Sequence, residues 1–150
     1  MRRAIELSLE NVRSGNGGPF GAVVVRDGTI IGEGANQVLT TNDPSAHAEV
    51  VAIREACRKL GSFQLSGCDM YSSCEPCPMC MGLIYWARPE KVYFANTAED
   101  AARIGFDDAF IYRELALPPE KRAIAMQQMM WDEAQAAFAA WEKKADKIVY

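Results

Sequence analysis

The fold is decided by residues 20–60, which read FGAVVVRDGTIIGEGANQVLTTNDPSAHAEVVAIREACRKL. Residues 20–25 are apolar and end in β-branched valines, Asp27-Gly28 is a strong hairpin signal, and residues 29–36 continue as a second strand. Residues 42–45 (Asn-Asp-Pro-Ser) break the chain and can cap a following helix. The pattern therefore predicts a β-hairpin and then a helix over about 46–60, which ends at Gly61.

Outward from this stretch, short apolar segments alternate with helical patterns. Toward the N-terminus, Ile5, Leu9 and Val12 lie at helical spacing within residues 2–13. Toward the C-terminus the patterns predict a strand over 68–72, a helix from Pro76 or Pro78 to about 86, a strand over 92–95, and helices over 98–104, 107–115 and 131–144. Strands that alternate with helices after a first hairpin indicate the α/β class, with a mixed sheet covered by helices on both faces. The length of 150 residues and the absence of a linker indicate a single domain, 1–150.

The composition argues against two classes of partner. The chain has a formal net charge of -4 and a pI near 5.1, so it gains little from neutralising phosphates, and we expect no nucleic-acid partner. No apolar run approaches the length of a bilayer span, and the N-terminus lacks the pattern of a signal peptide, so we expect no membrane partner. The five cysteines are odd in number and three of them are clustered, which favours a metal site in the cytoplasm over a disulfide framework.

Candidate metal ligands lie at two predicted helix starts. His47 is the one histidine in the sequence, and Cys77 and Cys80 are three residues apart, so that their sulfurs project from the same side of one helical turn. The positive end of a helix dipole favours thiolate over thiol. Two sulfurs and one nitrogen suit zinc, and three protein ligands leave a fourth position open for water, as in catalytic sites. We therefore expect one Zn²⁺ per chain, with Glu49 close enough to move protons without binding the metal.

Simpler interpretations exist for each ligand taken alone. A lone histidine is usually a core or surface residue, and a lone Cys-x-x-Cys is often a redox or structural pair. The combination with Glu49 is more specific than either part. A closed structural site in which Cys74 is the fourth ligand stays open as an alternative, although it gives Glu49 no function.

The pattern His-x-Glu followed by Pro-Cys-x-x-Cys resembles the cytidine deaminase-like superfamily of zinc-dependent deaminases. That resemblance implies a three-layer α/β/α fold around a mixed five-stranded sheet. Segments over residues 16–22 (NGGPFGA), 42–49 (NDPSAHAE), 74–80 (CEPCPMC) and 101–110 (AARIGFDDAF), together with the terminal Tyr150, resemble the bacterial guanine deaminases of this superfamily. This closer resemblance implies hydrolytic conversion of guanine to xanthine and ammonia, a step of purine catabolism.

The resemblance also implies roles for individual residues. Phe20 is expected against the purine ring, Asn36 on its edge and Ala48 among the substrate contacts. Asp108 is expected at the amine end of guanine, where it assists Glu49. Tyr150 is expected to close the pocket of a partner subunit, because the C-terminal segment, about 131–150, is exchanged between the subunits of a homodimer in that family.

The residues by themselves leave plainer roles open. Phe20 could pack in the core, Asn36 could serve a turn, and Asp108 could belong to a solvated acidic pair with Asp107. Tyr150 could be a frayed terminal residue. For the whole chain, the alternatives are a tRNA adenosine deaminase, a deaminase of guanosine or aminotriazines, and a non-catalytic zinc module that binds a partner protein.

Overall fold

The structure is a computed structural model that describes residues 1–149. Its elements in chain order are α1 (Arg2–Ser14), β1 (Gly21–Arg26), β2 (Thr29–Ala35), α2 (Val38–Thr41), α3 (Ala48–Leu60), β3 (Cys68–Cys74), α4 (Pro78–Ala87), β4 (Lys91–Asn96), α5 (Ala98–Arg103), α6 (Ala109–Ala116), a 3-10 turn (Pro119–Lys121) and α7 (Trp131–Lys143). The predicted elements are confirmed in order and type, and α2 and the 3-10 turn are additions. None of the helices described is long and apolar enough to cross a membrane. The chain divides into two compact units, Met1–Asp108 and Ala109–Tyr150.

The first unit contains a mixed sheet with the strand order β2-β1-β3-β4. Strands β1 and β2 form the predicted hairpin, and the turn residues Asp27 and Gly28 both adopt positive φ, at 50° and 75°. Strand β1 also pairs antiparallel with β3, and β3 pairs parallel with β4. The mixed sheet is confirmed, but the prediction of five strands is wrong for the described residues, which form four.

The missing fifth strand has a physical cause. Only four segments of the chain carry a strand pattern, and the fifth strand was implied by resemblance alone. Directly after β4, Thr97 and Asp100 form a reciprocal capping box that starts α5, so the chain leaves the sheet as a helix.

Helices cover both faces of the sheet. A Cβ added to Gly21 would overlap the carbonyl oxygen of Ala4 in α1, and one added to Gly34 would overlap that of Ala48 in α3. Gly34 pairs across the hairpin with Ala22, the residue after Gly21. Because successive residues of a strand point to opposite faces, α1 and α3 lie on opposite sides of the sheet. The three-layer α/β/α arrangement is thereby confirmed.

The core lies between the sheet and α3. Its fully or almost fully buried members come from β1, α3, β3 and α4, with Leu65 from a loop: Ala22, Val24, Ala48, Ala52, Ile53, Ala56, Leu65, Cys68, Met70, Ile84 and Ala87. Many of these side chains are small, so α3 approaches the sheet closely. The start of α3 is thereby fixed against the strands, and so are the functional side chains that it carries.

The second unit is built differently. Residues 109–149 include none that is buried. Within this unit, the backbone N–H of Ala123 donates to the Glu114 carboxylate at 2.6 Å. Most of its large apolar side chains are exposed: Phe110, Tyr112, Leu115, Leu117, Ile124, Met126, Met129, Met130, Trp131, Phe138, Trp141, Ile148 and Val149. In the chain as described, this unit has no core of its own.

Candidate metal centre

The position of α3 depends on two glycines of β2. Side chains on Gly32 and Gly34 would overlap the carbonyl oxygens of Ala52 and Ala48. The absence of a Cβ at these two positions lets the first two turns of α3 lie directly on the strand. The start of α3, which carries His47 and Glu49, is thus held against the sheet.

The two predicted helix starts meet in space. His47 is the N-cap of α3, with φ -70° and ψ 157°, and Cys77 is the N-cap of α4, with φ -66° and ψ 168°. Pro78 occupies the first turn of α4, where its fixed φ suits a helix start and its missing N–H costs nothing. Cys80 follows in the same turn. Both helices point their positive ends at one place, which favours anionic sulfur.

The spacing of the three ligand atoms fits zinc. The Nδ1 atom of His47 lies 3.5 Å from Sγ of Cys77 and 3.6 Å from Sγ of Cys80. Zinc bonds of about 2.3 Å to sulfur and about 2.1 Å to nitrogen, at tetrahedral angles, separate such atoms by about 3.6 Å. All three ligand atoms lie within 4.8 Å of one another. The site predicted from sequence is therefore assembled with the geometry and the donor types that zinc requires.

The two thiols are not equivalent. The interaction with Cys80, and then that with His47, lowers the pKa of Cys77 to about 4. The same pairing with Cys77, together with burial, raises the pKa of Cys80 far above its ordinary value. Of the two thiols, Cys77 thus gives up its proton more readily, and Cys80 holds its proton more strongly. Binding of a metal has to displace that proton, because zinc is held by thiolate.

Glu49 lies beside the ligands and is buried, with 5% of its surface exposed. The Ser72 hydroxyl donates to its Oε1 at 3.0 Å, and the Cys80 thiol donates to its Oε2 at 3.4 Å. Burial is the largest of the effects on this carboxyl group and raises its pKa. A carboxylate that accepts a proton more readily than usual, held next to a metal site, suits a group that takes and returns protons.

Cys74 lies outside the group of ligand atoms. It ends β3, is buried, and its thiol donates to the carbonyl oxygen of Thr97 at 3.6 Å. Burial is the main cause that raises its pKa to about 11, so this side chain stays a thiol near neutral pH. The group of possible ligands found among the described residues contains His47, Cys77 and Cys80. This geometry favours the open three-ligand site over the closed one.

Phe20 directly precedes β1 and Asn36 directly follows β2, so the β-hairpin places the two residues side by side. The backbone N–H of Asn36 donates to the carbonyl oxygen of Phe20 at 3.1 Å. The Oδ1 atom of Asn36 accepts from the N–H of Val38 at 3.3 Å, which leaves its Nδ2 group to donate elsewhere. The Phe20 ring meets the edge of Phe106 with a centroid distance of 4.9 Å and an interplanar angle of 90°. The structure thus shows core packing for Phe20 and a turn contact for Asn36.

Asp108 is the last residue of the first unit and is partly exposed. Burial, and then the negative charge of Cys77, raise the pKa of its carboxyl group. The charge of Asp108 in turn contributes to the raised pKa of His47, for which the bond to Cys77 is the largest cause. Asp108 therefore interacts electrostatically with two of the candidate ligands, Cys77 and His47. Tyr150 lies outside the described residues.

Three further residues around the site were not predicted. Ser72 holds Glu49, Phe106 packs on Phe20, and Asn11 of α1 donates from Nδ2 to the carbonyl oxygens of Gly18 and Asn36, at 2.9 Å each. Asn11 is one of several polar residues in an amphipathic helix, so the sequence gives little indication of its role. Ser72 is a polar residue inside a predicted buried strand, which indicates more strongly that its hydroxyl has a specific partner.

Two N-terminal helix ends that hold a histidine, two cysteines and a buried glutamate define a zinc-binding deaminase centre. The family model of the cytidine and deoxycytidylate deaminase zinc-binding region matches residues 1–96, and the chain belongs to this family.

Comparison with individual proteins shows which deaminases this chain is similar to. Guanine deaminase from Bacillus subtilis is 55% identical over 150 residues, which cover all of this chain and 96% of that protein. Its crystal structure matches with a TM-score of 0.97 over 99% of this chain and 95% of that chain. The structure of guanine deaminase from Nitrosomonas europaea, 29% identical, matches with a TM-score of 0.68 over 93% of this chain and 80% of that one. A tRNA-specific adenosine deaminase from Aquifex aeolicus is 47% identical over 77 residues, 51% of each chain.

Proposed function

We propose that this protein is an enzyme that deaminates guanine hydrolytically, giving xanthine and ammonia. The observation that carries the proposal is the buried Glu49 carboxylate beside three ligand atoms at tetrahedral spacing. The choice of guanine follows the similarity to guanine deaminase, which runs through the whole chain, whereas that to the tRNA deaminase covers about half.

The proposed reaction divides the work between metal and carboxylates. Zinc, when held by His47, Cys77 and Cys80, would supply a Lewis acid that makes water a better nucleophile. Glu49 would accept one proton of the attacking water as the water oxygen adds to C2 of guanine, and would deliver this proton to ring N3. The remaining hydroxyl proton would then pass through Glu49 to the amine, the C2–N bond would break, and ammonia would leave as the C2 carbonyl of xanthine forms. The raised pKa of Glu49 suits both acceptance and return of the proton.

Asp108 is proposed to assist departure of the amine. Its raised pKa makes it a better proton carrier near neutral pH than an ordinary aspartate. Its electrostatic interaction with Cys77 and His47 supports a position close to the metal side of the substrate.

The base is proposed to lie against Phe20 and Ala48, with its edge on Asn36. The Asn36 amide is oriented by Val38, so Nδ2 can donate to an acceptor on the purine. Ala48 is fully buried in the first turn of α3, where its carbonyl oxygen lies directly against Gly34 of β2. A base without a matching acceptor would leave the Asn36 donor unpaired, which is how such a site discriminates.

The second unit is proposed to complete the site of a second copy in a domain-swapped homodimer. Trp131, Phe138 and Trp141 lie along one side of α7 and are 57%, 70% and 44% exposed, so this stripe needs a surface to cover it. Exchange of an identical segment is an economical route to a two-fold dimer. The role of Tyr150 in closing the partner's pocket rests on the resemblance to guanine deaminases.

The five cysteines are all free thiols in the structure. Two of them are proposed zinc ligands, which must stay reduced to bind metal. A reducing compartment, the cytoplasm, is therefore the proposed location.

A substrate panel tests the reaction. Zinc-loaded protein is incubated with guanine, adenine, cytosine, guanosine, an aminotriazine and tRNA, and released ammonia is measured. We expect guanine to react far faster than every other compound. Faster release from adenosine in tRNA would favour the second candidate, and no release from any compound would favour a non-catalytic zinc module.

Complementation tests the exchanged segment. Chains that lack residues 146–150 are co-assembled with Glu49→Gln chains that keep them. A swapped tail predicts that the mixed dimer regains activity, because one of its sites then has both an intact Glu49 and a tail. A verified mixed dimer without activity would exclude the exchange.

A further inference from the structure

Ser72 is a buried hydroxyl whose partner is the proposed proton carrier. It lies near the end of β3, is 1% exposed, and pairs with Ala22 of β1. Ala22 points to the α3 side of the sheet, so Ser72 also faces α3. There its Oγ donates to Oε1 of Glu49 at 3.0 Å. A hydroxyl buried in the centre of a sheet is costly unless it is satisfied, and this one is satisfied by the carboxylate.

The two oxygens of Glu49 have different surroundings. Oε1 accepts from Ser72, and Oε2 accepts from the thiol of Cys80, at 3.4 Å. Cys80 is a proposed metal ligand, so Oε2 is the carboxylate oxygen that lies on the side of the metal site. Within residues 1–149, Ser72 is the side-chain hydroxyl that donates to the other oxygen, Oε1.

We propose that Ser72 is a positioning residue that anchors Oε1 of Glu49 and so turns Oε2 toward the metal site as the oxygen that takes up and returns the proton. The anchored carboxylate has one rotational state instead of several, and its reacting oxygen is held where the proton is transferred. This role rests on the proposed function, because Ser72 acts only through the proton transfer that Glu49 performs.

The neighbouring serine provides a matched control. Ser73 is equally buried, at 2%, but points to the other face, where its Oγ accepts from the N–H of Gly21 at 3.0 Å. Ser73→Ala also removes a buried hydroxyl hydrogen bond from β3, but not one to Glu49. Loss of stability alone would therefore appear in both variants.

The test is a double-mutant cycle on zinc-loaded dimeric protein, read out as kcat, KM, zinc content and Tm. Ser72→Ala should keep its zinc and change KM little, while kcat falls about 10- to 100-fold, the worth of one hydrogen bond to a charged group. Ser72→Thr, which keeps the hydroxyl, should restore kcat to within about threefold of wild type. Ser73→Ala should lower Tm with kcat unchanged. In a Glu49→Gln background, Ser72→Ala should change the residual turnover by less than about twofold.

Three results would overturn the positioning role. They are a wild-type kcat in Ser72→Ala, an equal fall of kcat in Ser73→Ala, and the full Ser72→Ala loss in the Glu49→Gln background. If Ser72→Ala gives too little folded protein, Ser72→Cys keeps the shape with a weaker donor and should show a fall in kcat in the same direction. Wild-type protein that deaminates a base other than guanine would refute the proposed function alone, since the same cycle can be run on that base.

Discussion

The two compact units, Met1–Asp108 and Ala109–Tyr150, differ in how they bury apolar surface. The first unit buries a core between the sheet and α3 and holds the three candidate zinc ligands and Glu49. The second carries many large apolar side chains, yet none of residues 109–149 is buried. A segment of this size without a core is not stable by itself. We infer that metal binding belongs to the first unit and the proposed assembly to the second, so that changes in one unit should spare the property that belongs to the other.

Removal of a metal ligand from the first unit should have the largest effect. Cys77→Ala leaves two ligands, and we expect loss of bound zinc and of all turnover, with the dimer retained. Cys74→Ala is the control, because its thiol stays protonated and donates to Thr97. Metal analysis by mass spectrometry should find about one zinc per chain in the control. Loss of zinc from the Cys74 variant would show that the site has four protein ligands.

Loss of the proton carrier should come next. Glu49→Gln keeps the size of the side chain and its acceptor for Ser72, so fold, zinc and dimer should persist. The kcat for guanine should fall about 10³-fold, because an amide cannot take up the proton. Steady-state ammonia release gives kcat, and metal analysis gives the zinc content. Near wild-type turnover by a zinc-loaded variant would remove Glu49 from the mechanism.

These two predictions depend on parts of the site that the sequence encodes locally. His47 and Glu49 belong to one helix start and Cys77 and Cys80 to another, and helix-start signals with three-residue spacing are readable without knowledge of the fold. The prediction that the two helix starts meet in space required the His-x-Glu and Cys-x-x-Cys motifs to be interpreted together. The structure brings the three ligand atoms of His47, Cys77 and Cys80 together at distances that suit zinc.

Contacts that depend on strand register were not predictable in the same way. Ser72 reaches Glu49 only because β3 lies beside β1 in one particular register, and a shift by one residue would point Ser73 there instead. Asn11 reaches Asn36 across 25 positions of sequence. The fifth strand came from resemblance and not from a strand pattern in the residues. The end of the first unit at Asp108 follows from contacts between residues distant in sequence, which no local motif reports.

A charge introduced into α7 of the second unit should weaken the proposed dimer and leave metal binding unchanged. Phe138→Glu places a carboxylate in the apolar stripe of α7, and burial of an unpaired charge in an interface is costly. We expect the dimer Kd to rise at least about 100-fold and turnover to fall with it, while zinc content stays at the wild-type value. Sedimentation across a dilution series measures the Kd.

Ala136→Glu is the matched control for this change, because it adds the same charge to the opposite, exposed side of α7. It should dimerise like the wild type. A monomeric Ala136 variant, or a fully dimeric and active Phe138 variant, would argue that the aromatic stripe does not form the interface.

The smallest effect should come from the base-recognition side of the first unit. Asn36→Ser keeps an oxygen that can accept from the N–H of Val38, as Oδ1 of Asn36 does at 3.3 Å, but it removes the Nδ2 donor proposed for the base. Zinc, dimer and Tm should therefore change little. The kcat/KM for guanine should fall about 10-fold, the worth of one hydrogen bond of about 1–1.5 kcal/mol, mostly through KM. Assays of guanine and adenine side by side measure this fall and the accompanying loss of preference between the two bases. An unchanged kcat/KM in the zinc-loaded variant would assign Asn36 to the turn alone and leave Phe20 and Asp108 as the described side chains outside α3 that are proposed to contact the purine.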